Sequence, residues 1–267
     1  MPNVDGPDCR LFVEVVGEGE PVTVFAHGIT SSLEEISAFA WRTKGTRVLF
    51  DFRGHGRSEA PPEQAGYDYP AMRKDLEFIA DRYGATRALG VSMGAGALLN
   101  LIADRPDRFE RLLFFIPARL DALQSAAKDR YPALAGLLES HPLDEVAELV
   151  VAAPESQPLF EARPAWRALM RARVLRMNAI GVPRALRAFV DGRPPVTDAS
   201  LLTRVTAPAL VLAHENDPIH PAEVARRIGE LLPNADVRIW PEPLAMLDDF
   251  SAFADTIGAF LTPGAAA

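Results

Sequence analysis

The chain alternates short apolar runs with segments of helical periodicity, and this alternation restricts its fold more than any other feature. Seven runs are rich in β-branched or other apolar residues and are bounded by turn residues: 11–16, 22–26, 47–50, 87–91, 111–116, 209–213 and 236–240. Apolar residues recur at helical spacing between most of them, in four segments: 71–83, 93–104, 222–232 and 250–261. Alternating strands and helices predict an α/β fold, with a mostly parallel sheet covered by helices on both faces.

The alternation stops between Pro117 and Pro195, where the sequence is helical in character and broken by prolines. We therefore predict a core formed by residues 1–116 and 196–267, with a helical lid at 117–195. Four large apolar side chains recur at helical spacing in the lid: Trp166, Met170, Val174 and Met177. Such a stripe predicts core packing, and a substrate-facing surface is the alternative.

Arginine is concentrated in the second part of this predicted lid. Eight arginines occur there: Arg163, Arg167, Arg171, Arg173, Arg176, Arg184, Arg187 and Arg193. Asp191 is the only acidic residue between the first and the last of them. The pattern is typical of a solvated helix face. The alternative is that one or two of the arginines attract a carboxylate-bearing substrate or line the entrance to the site.

The bulk properties exclude several classes of protein. The 267 residues suit one large α/β domain or a core with a lid, and a net charge of −8 argues against general binding to nucleic acid or anionic membranes. No apolar run approaches the roughly 18 residues of a membrane span. Cys9 is the only cysteine, which excludes an intramolecular disulfide and a cysteine metal cluster. Residues 1–8 lack the basic and apolar regions of a secretory signal, which predicts a cytoplasmic location.

The segment Gly90-Val91-Ser92-Met93-Gly94 joins a predicted strand to a predicted helix. A tight strand-to-helix turn requires small residues two positions before and two positions after its centre, because side chains there would crowd the reversed backbone. Such a turn lifts the hydroxyl of Ser92 above the carboxyl edge of the sheet. It also places the amide of Met93 at a helix N-terminus, where it can donate to an oxyanion. Ser92 is therefore the candidate nucleophile.

His27 and Gly28 follow the strand predicted at 22–26. A strand that ends in this pair leaves the amide of Ile29 free to turn toward Ser92, which predicts the second oxyanion donor. His27 itself is expected to be a structural hydrogen-bonding residue rather than a base. Because His27 and Gly28 lie at the end of this strand, next to the predicted oxyanion donor, both are candidates for substrate contact.

The segment 51–58 follows another predicted strand, and its glycines permit a tight loop. Asp51 and Arg53 are expected to pair there and to brace the neighbouring loops. His55 is expected to be structural.

A further candidate site residue lies in the loop that follows the strand predicted at 209–213. Asp217 is placed to orient a base beyond the strand end, and it comes after Ser92 in the chain order known for serine triads. Glu215 is the substitute if Asp217 points elsewhere. A helix-capping or turn role is the alternative for Asp217, because aspartate is common in such loops.

The chain resembles the α/β-hydrolase superfamily along nearly its whole length, and the matching segments are 27–28, 51–58, 90–94 and 216–221. The Ser92-Met93 pair is similar to the branch that holds enol-lactonases, small esterases and cofactor-free haloperoxidases. The resemblance implies an eight-stranded core, a helical lid after the sixth strand and a Ser-Asp-His triad. Haloalkane dehalogenases and epoxide hydrolases carry a carboxylate nucleophile at the elbow, so the serine disfavours their chemistry. The substrate is not fixed, because the fold hosts many reactions.

The triad histidine of that family should lie between the last strand and the last helix, and no histidine occurs there. Two alignments of the segment 240–249 place the family histidine at Pro243 or at Ala245. The chain has five histidines, and none follows the last predicted strand: His27, His55, His141, His214 and His220. Serine is a poor nucleophile without a partner that takes its proton.

Three explanations for the missing histidine compete. The base comes from another position, and His220 is then the leading candidate because its loop also carries the predicted acid. As an alternative to a role as base, His220 is a loop residue that forms only local hydrogen bonds. In the second explanation the histidine was replaced to trap a complex, which alanine at 245 fits and proline at 243 does not. In the third explanation, the protein does not catalyse hydrolysis with a triad at all.

We therefore expect a hydrolase acting on a small ester, lactone or thioester, with no metal or organic cofactor. Ser92 attacks the carbonyl, the amides of Ile29 and Met93 hold the oxyanion, and Asp217 orients the base. The predicted partner is a small-molecule substrate, with nucleic acid and membrane excluded. The alternative is a non-hydrolytic member, either a ligand-binding protein or a cyclase- or lyase-like enzyme that uses the same pocket.

Overall fold

The computed structural model describes residues 3–62, 64–121 and 127–263 of the chain. Its strands are β1 (Asn3–Asp5), β2 (Arg10–Val16), β3 (Val22–Ala26), β4 (Thr46–Phe50), β5 (Arg87–Val91), β6 (Arg111–Phe115), β7 (Ala209–His214) and β8 (Ala235–Trp240). They form one eight-stranded sheet in the order β1-β2-β4-β3-β5-β6-β7-β8. The pairs β1–β2 and β2–β4 are antiparallel, and all the other pairs are parallel. The predicted mostly parallel, eight-stranded sheet is confirmed.

Helices cover both faces of the sheet. They are α1 (Leu33–Ala40), α2 (Tyr69–Arg82), α3 (Met93–Asp104), α4 (Ala127–Ser140), α5 (Leu143–Ala152), α6 (Gln157–Ala162), α7 (Ala165–Leu175), α8 (Gly181–Asp191), α9 (Ala222–Leu231) and α10 (Phe250–Leu261). Short 3₁₀ turns lie at Gln64–Tyr67, Pro154–Ser156, Ala199–Arg204 and Ala245–Leu247. No helix within the described part of the chain combines the length and apolar character needed to cross a membrane.

Alternate residues of the central strands face two separate cores. Leu112 of β6 belongs to the core that contains α2, α3 and α9, whereas Leu113 belongs to the core that contains α1 and α10. Both side chains are fully buried. Parallel strands covered on both sides are apolar at nearly every position. This is why the strand runs could be recognised in the sequence.

Helices α4 to α8 lie between β6 and β7, in the segment predicted as a lid. Three ion pairs join this insertion to α1 and to the segment before α10: Arg163–Asp248, Arg173–Glu35 and Arg176–Glu34. Two further arginines form ion pairs within the insertion: Arg171 with Glu148 and Arg187 with Glu139. Exposed pairs of this kind contribute at most about 1 kcal/mol each, so they guide the docking of the insertion more than they stabilise it. Arg171 and Arg187 fit the predicted solvated helix face, whereas Arg173 is half-buried against α1.

Candidate active site

Ser92 occupies the sharp turn between β5 and α3, with backbone angles φ 49° and ψ −105°. Positive φ is strained for a residue with a side chain, and such strain is concentrated at functional sites. A Cβ atom on Gly90 would lie 2.6 Å from the carbonyl oxygen of Gly94. One on Gly94 would lie 2.2 Å from the carbonyl oxygen of Ala26. The turn therefore requires both glycines, for the steric reason inferred from the sequence.

Gly94→Ala is expected to lower the free energy of unfolding by about 1–3 kcal/mol, because the new methyl group overpacks against the backbone of β3. Gly136→Ala is the matched control, since nothing lies within 4 Å of a Cβ atom at that position in α4. It should raise the free energy of unfolding by roughly 0.5–1 kcal/mol, as expected for glycine in a helix interior. Urea denaturation of both variants measures the difference. Equal effects would contradict the steric account of the turn.

Ser92, His220 and Asp217 form a continuous hydrogen-bonded chain. The Oγ atom of Ser92 lies 3.0 Å from Nε2 of His220, and Nδ1 of His220 lies 2.8 Å from Oδ2 of Asp217. A carboxylate only accepts hydrogen bonds, so the proton of a neutral His220 is on Nδ1. Nε2 is then free to accept the hydroxyl proton of Ser92, which is the arrangement that a serine nucleophile and its base require.

The loop after β7 holds both the carboxylate and the imidazole of this chain. Oδ1 of Asp217 accepts hydrogen bonds from the backbone amides of Ile219 (2.8 Å) and His220 (3.2 Å), which fixes the carboxylate. Burial raises the pKa of Asp217, but the hydrogen bond and charge of His220 outweigh it and hold the pKa well below its usual range. Glu215, the alternative acid, forms an ion pair with Arg226 instead.

The amides of Ile29 and Met93, predicted as oxyanion donors, form no backbone hydrogen bond within the described residues. Nδ1 of His27 lies 2.7 Å from the carbonyl oxygen of Gly28, which belongs to the same planar peptide unit as the Ile29 amide. Nε2 of His27 accepts a hydrogen bond from the amide of Phe52 at 3.0 Å. Since both ring nitrogens are engaged, His27 orients this peptide and can meet a substrate only through its backbone.

Ser92 lies at the wall of a cavity of about 620 Å³ enclosed between the sheet edge and the helical insertion. Its lining is largely apolar and includes Phe39, Phe115, Leu134, Leu137 and Leu149. All four residues of the predicted packing stripe also line it: Trp166, Met170, Val174 and Met177. Val174 and Met177 are also buried in the main hydrophobic core, so the stripe combines the predicted core packing with the alternative of a surface that faces the cavity. Concave apolar sites of this size accommodate small molecules.

A model described as the Alpha/beta hydrolase family matches residues 23–255 of the chain. The chain belongs to the α/β-hydrolase family. It is 29% identical over 202 residues to the protein named "Putative carbamate hydrolase RutD" from Caulobacter sp. (strain K31). The aligned region covers 73% of this chain and 71% of that protein.

Two solved structures illustrate the fold that this α/β hydrolase shares with others. The enol-lactonase from Burkholderia xenovorans LB400 is 19% identical, with a TM-score of 0.77 over 98% of this chain and 100% of that one. The esterase EaEST from Exiguobacterium antarcticum is 20% identical, with a TM-score of 0.76 over 97% of this chain and 98% of that one. At such identities the likeness shows the fold alone.

In this α/β hydrolase the loop after β8 carries an apolar side chain toward the site. Leu244 lies between Pro243 and Ala245, the two positions assigned to the family histidine. It has a φ of 66° and lines the cavity beside Ser92. The loop after β7 therefore supplies the imidazole, and the loop after β8 supplies part of the apolar wall.

A second imidazole lies close to the carboxylate of Asp217. His214 ends β7, is 2% exposed, and places Nδ1 3.7 Å from Oδ2 of Asp217. That distance is too long for a hydrogen bond, and Nδ1 has no other partner within the described residues. Burial lowers the pKa of His214, so the ring is held neutral. Among the described imidazoles, only His220 contacts both Asp217 and Ser92.

The prediction that Asp51 and Arg53 pair with each other was wrong. Nη2 of Arg53 contacts Oδ1 of Asp75 at 2.6 Å. Asp51 accepts hydrogen bonds from the amides of Leu33 (2.6 Å) and Arg57 (2.9 Å). A carboxylate can satisfy its oxygens with backbone amides, so adjacency in one loop does not imply an ion pair. The two residues brace the loops through separate partners.

His55 agrees with its predicted structural role. Its Nε2 lies 2.6 Å from the carbonyl oxygen of Ile29, and its Nδ1 lies 2.9 Å from that of Arg53. Burial lowers the pKa of His55 to about 4, and that of His27 also to about 4. These two rings fix the loop that carries Ile29.

Sequence reasoning missed several residues around Ser92. Tyr131 and Leu134 come from α4, where a proline and a mixed pattern gave no clear amphipathic face. Arg119 lies beside Ser92 and outside the arginine-rich segment that drew attention. No spacing rule distinguishes these residues from others in the insertion. Within the described ranges, no group of three or more His, Cys, Asp or Glu side chains is arranged to hold a metal ion.

Proposed function

We propose that this α/β hydrolase is a serine hydrolase that cleaves a small ester, lactone or thioester with a Ser92–His220–Asp217 triad. The observation that carries the proposal is the 3.0 Å contact between Oγ of Ser92 and Nε2 of His220, with Nδ1 bonded to Asp217 at 2.8 Å. Of the three explanations for the missing histidine, this geometry supports a base supplied from another loop.

The first half of the reaction forms an acyl-enzyme. Oγ of Ser92 attacks the carbonyl carbon and passes its proton to Nε2 of His220. The amides of Ile29 and Met93 donate hydrogen bonds to the resulting oxyanion. When the intermediate collapses, the bond to the leaving oxygen or sulfur breaks, and that atom takes the proton from Nε2.

The second half of the reaction regenerates the enzyme. Water gives a proton to Nε2 of His220 and attacks the acyl carbon. When the second tetrahedral intermediate collapses, the bond between the acyl carbon and Oγ of Ser92 breaks, Nε2 of His220 returns the proton to Oγ, and the acid is released. The carboxylate of Asp217 stabilises the imidazolium in both halves. We infer that residues 117–195 act as the lid that shapes the apolar cavity.

The names of the relatives support a carbonyl substrate with a heteroatom leaving group. Esterase, enol-lactonase and carbamate hydrolase all describe such substrates. Two proteins named as epoxide hydrolases also match the chain, over 36% and 38% of its length, but the serine at the elbow does not supply the carboxylate nucleophile that their chemistry uses. Hydrolysis at a carbonyl is therefore the activity that fits both the site and the family.

Reaction with a fluorophosphonate probe tests the proposal. We expect rapid covalent labelling of the wild-type chain and its loss in Ser92→Ala, because only an activated serine attacks phosphorus efficiently. Ser200→Ala is the matched control, since Ser200 is exposed in a surface 3₁₀ turn. Intact mass spectrometry counts the label. Absence of labelling between pH 5 and 9 would reject the proposal in favour of a non-hydrolytic member.

A further inference from the structure

Arg119 is a buried arginine that lines a small cavity together with Ser92. It follows β6 after a turn at Ile116, whose φ is 42°. The side chain is only 4% exposed, and neither Nη1 nor Nη2 has a hydrogen-bond partner within the described residues. Arginine remains protonated inside proteins, so it cannot escape this environment by losing its charge.

The surroundings of Arg119 lead directly to the candidate nucleophile. Arg119 lines a small cavity of about 10 Å³ together with Ser92 and the two residues whose amides are proposed to hold the oxyanion, Ile29 and Met93. Ser92 and Ile29 also line the main cavity, so the two spaces meet at the nucleophile. A group bound by Arg119 would therefore lie only a few bonds from a carbonyl attacked by Ser92.

Among the described residues, the titratable side chains that share this small cavity with Arg119 carry no negative charge. Tyr69 and Tyr131 line the same small cavity. Burial raises the pKa of both phenols, although the charge of Arg119 acts in the opposite direction. Both phenols therefore stay neutral at ordinary pH, and they offer polar oxygens without a counter-charge.

Arg53 is a buried arginine with a structural role, and it provides a comparison for Arg119. Its side chain is 2% exposed, as deeply buried as that of Arg119. Nevertheless Arg53 forms ion pairs with Asp75 at 2.6 Å and Asp8 at 2.9 Å. A buried charge is tolerated when it is paired and hydrogen-bonded, whereas an unpaired one is costly. Since Nη1 and Nη2 of Arg119 have no partner in the part of the chain that the structure describes, they point to a ligand that brings the negative charge.

We propose that Arg119 binds a carboxylate carried on the acyl part of the substrate, so that the preferred substrate class is the half-ester of a short dicarboxylic acid. This inference rests on the proposed hydrolase function. A carboxylate matches the planar fork of a guanidinium and accepts two hydrogen bonds from it. The small cavity that Arg119 lines has room for little more than the carboxylate itself, so the acyl chain that joins this carboxylate to the carbonyl at Ser92 must be short, and the main apolar cavity receives the leaving group.

The test compares two substrates that differ in charge and hardly in shape, monoethyl succinate and ethyl succinamate. The wild-type chain should prefer the half-ester. In Arg119→Met, kcat/KM for monoethyl succinate should fall by about 10²- to 10³-fold, the usual effect of removing one partner of a buried charge pair. For the neutral amide ester kcat/KM should stay within about threefold, the range of substitutions that disturb no specific contact. Arg187→Ala, which removes an exposed arginine from α8, is the matched control.

A binding measurement keeps the test independent of turnover. Free succinate should raise the Tm of the wild-type chain and leave the Tm of Arg119→Met unchanged, because a ligand that binds only the folded state stabilises it. Arg119→Lys should retain a weaker response, and it also serves if the methionine variant fails to fold.

Three results would overturn this inference. They are an equal loss for both substrates in Arg119→Met, no preference of the wild-type chain for the half-ester, and no response of its Tm to succinate. An equal loss would assign Arg119 to the oxyanion or to the fold. Fluorophosphonate labelling of Ser92 does not depend on Arg119 recognising an anion. It therefore separates failure of this inference from failure of the proposed function.

Discussion

Replacement of His220 by alanine is expected to lower kcat for ester hydrolysis by about 10⁶-fold, the loss measured when the base of a serine triad is removed from subtilisin. His220 is the imidazole that lies 3.0 Å from Oγ of Ser92, and no other acceptor in the described residues bonds to this hydroxyl. Without it the serine proton has no acceptor of suitable basicity. Residual hydrolysis of about 10³-fold over water should persist through the oxyanion amides and substrate binding. Stopped assays with p-nitrophenyl esters measure the change.

Two other histidines provide controls for this experiment. His141→Ala removes an exposed imidazole that contacts Glu145, and kcat should stay at the wild-type value. His214→Ala removes the buried ring beside Asp217 that does not reach Ser92. If His214→Ala abolished activity and His220→Ala left it within tenfold, the base would have been assigned to the wrong imidazole. Circular dichroism of each variant separates lost chemistry from lost folding.

The position of His220 explains how the triad can be complete without the family histidine. The carboxyl ends of neighbouring parallel strands meet at one edge of the sheet, so loops after β7 and β8 approach the same space above Ser92. Asp217 and His220 are three residues apart, and the backbone between them is fixed by hydrogen bonds to the carboxylate of Asp217. A single short loop thus carries both the proposed acid and the proposed base.

Local patterns made the core and the elbow predictable. The turn at Ser92 needs glycine at positions 90 and 94 because of contacts with the backbone, and such a requirement is visible in the sequence. The buried strands were recognisable because their residues are apolar on both faces. By contrast β1, of three residues with only Val4 buried, carries too little pattern to be found.

Long-range contacts were not predictable. Arg53 pairs with Asp75, which is 22 residues away in α2, rather than with the nearby Asp51. The arginine-rich segment predicted a solvated helix face, with an anion site as the alternative, yet Arg173, which lines the main cavity, pairs with Glu35 of α1. Within the described residues the buried Nη1 and Nη2 atoms of Arg119 have no hydrogen-bond partner, and only the three-dimensional arrangement shows this. The sequence shows where the arginines are, but only their ion pairs in the folded chain show which of them can still bind an anionic ligand.

The substitution Asp217→Asn is expected to lower kcat by about 10⁴-fold, as the equivalent change does in trypsin. Its amide nitrogen would donate to Nδ1 of His220, which forces the ring proton onto Nε2. Nε2 could then no longer accept the proton of Ser92. The fold should be retained, because the side-chain oxygen can still accept the amides of Ile219 and His220.

The size of this effect distinguishes a triad from a dyad. If Asp217 only capped the loop, as the sequence also allowed, Asp217→Asn would preserve the cap and kcat would change by less than tenfold. Glu215→Gln is the matched control, because Glu215 is engaged with Arg226 on the surface and should leave kcat unaltered. A tautomer change is also directly visible in the ¹⁵N chemical shifts of the imidazole. If Asp217→Asn lowered kcat strongly while His220 kept its proton on Nδ1, the tautomer account would be contradicted. The carboxylate of Asp217 would then act through its charge and not by fixing the tautomer of His220.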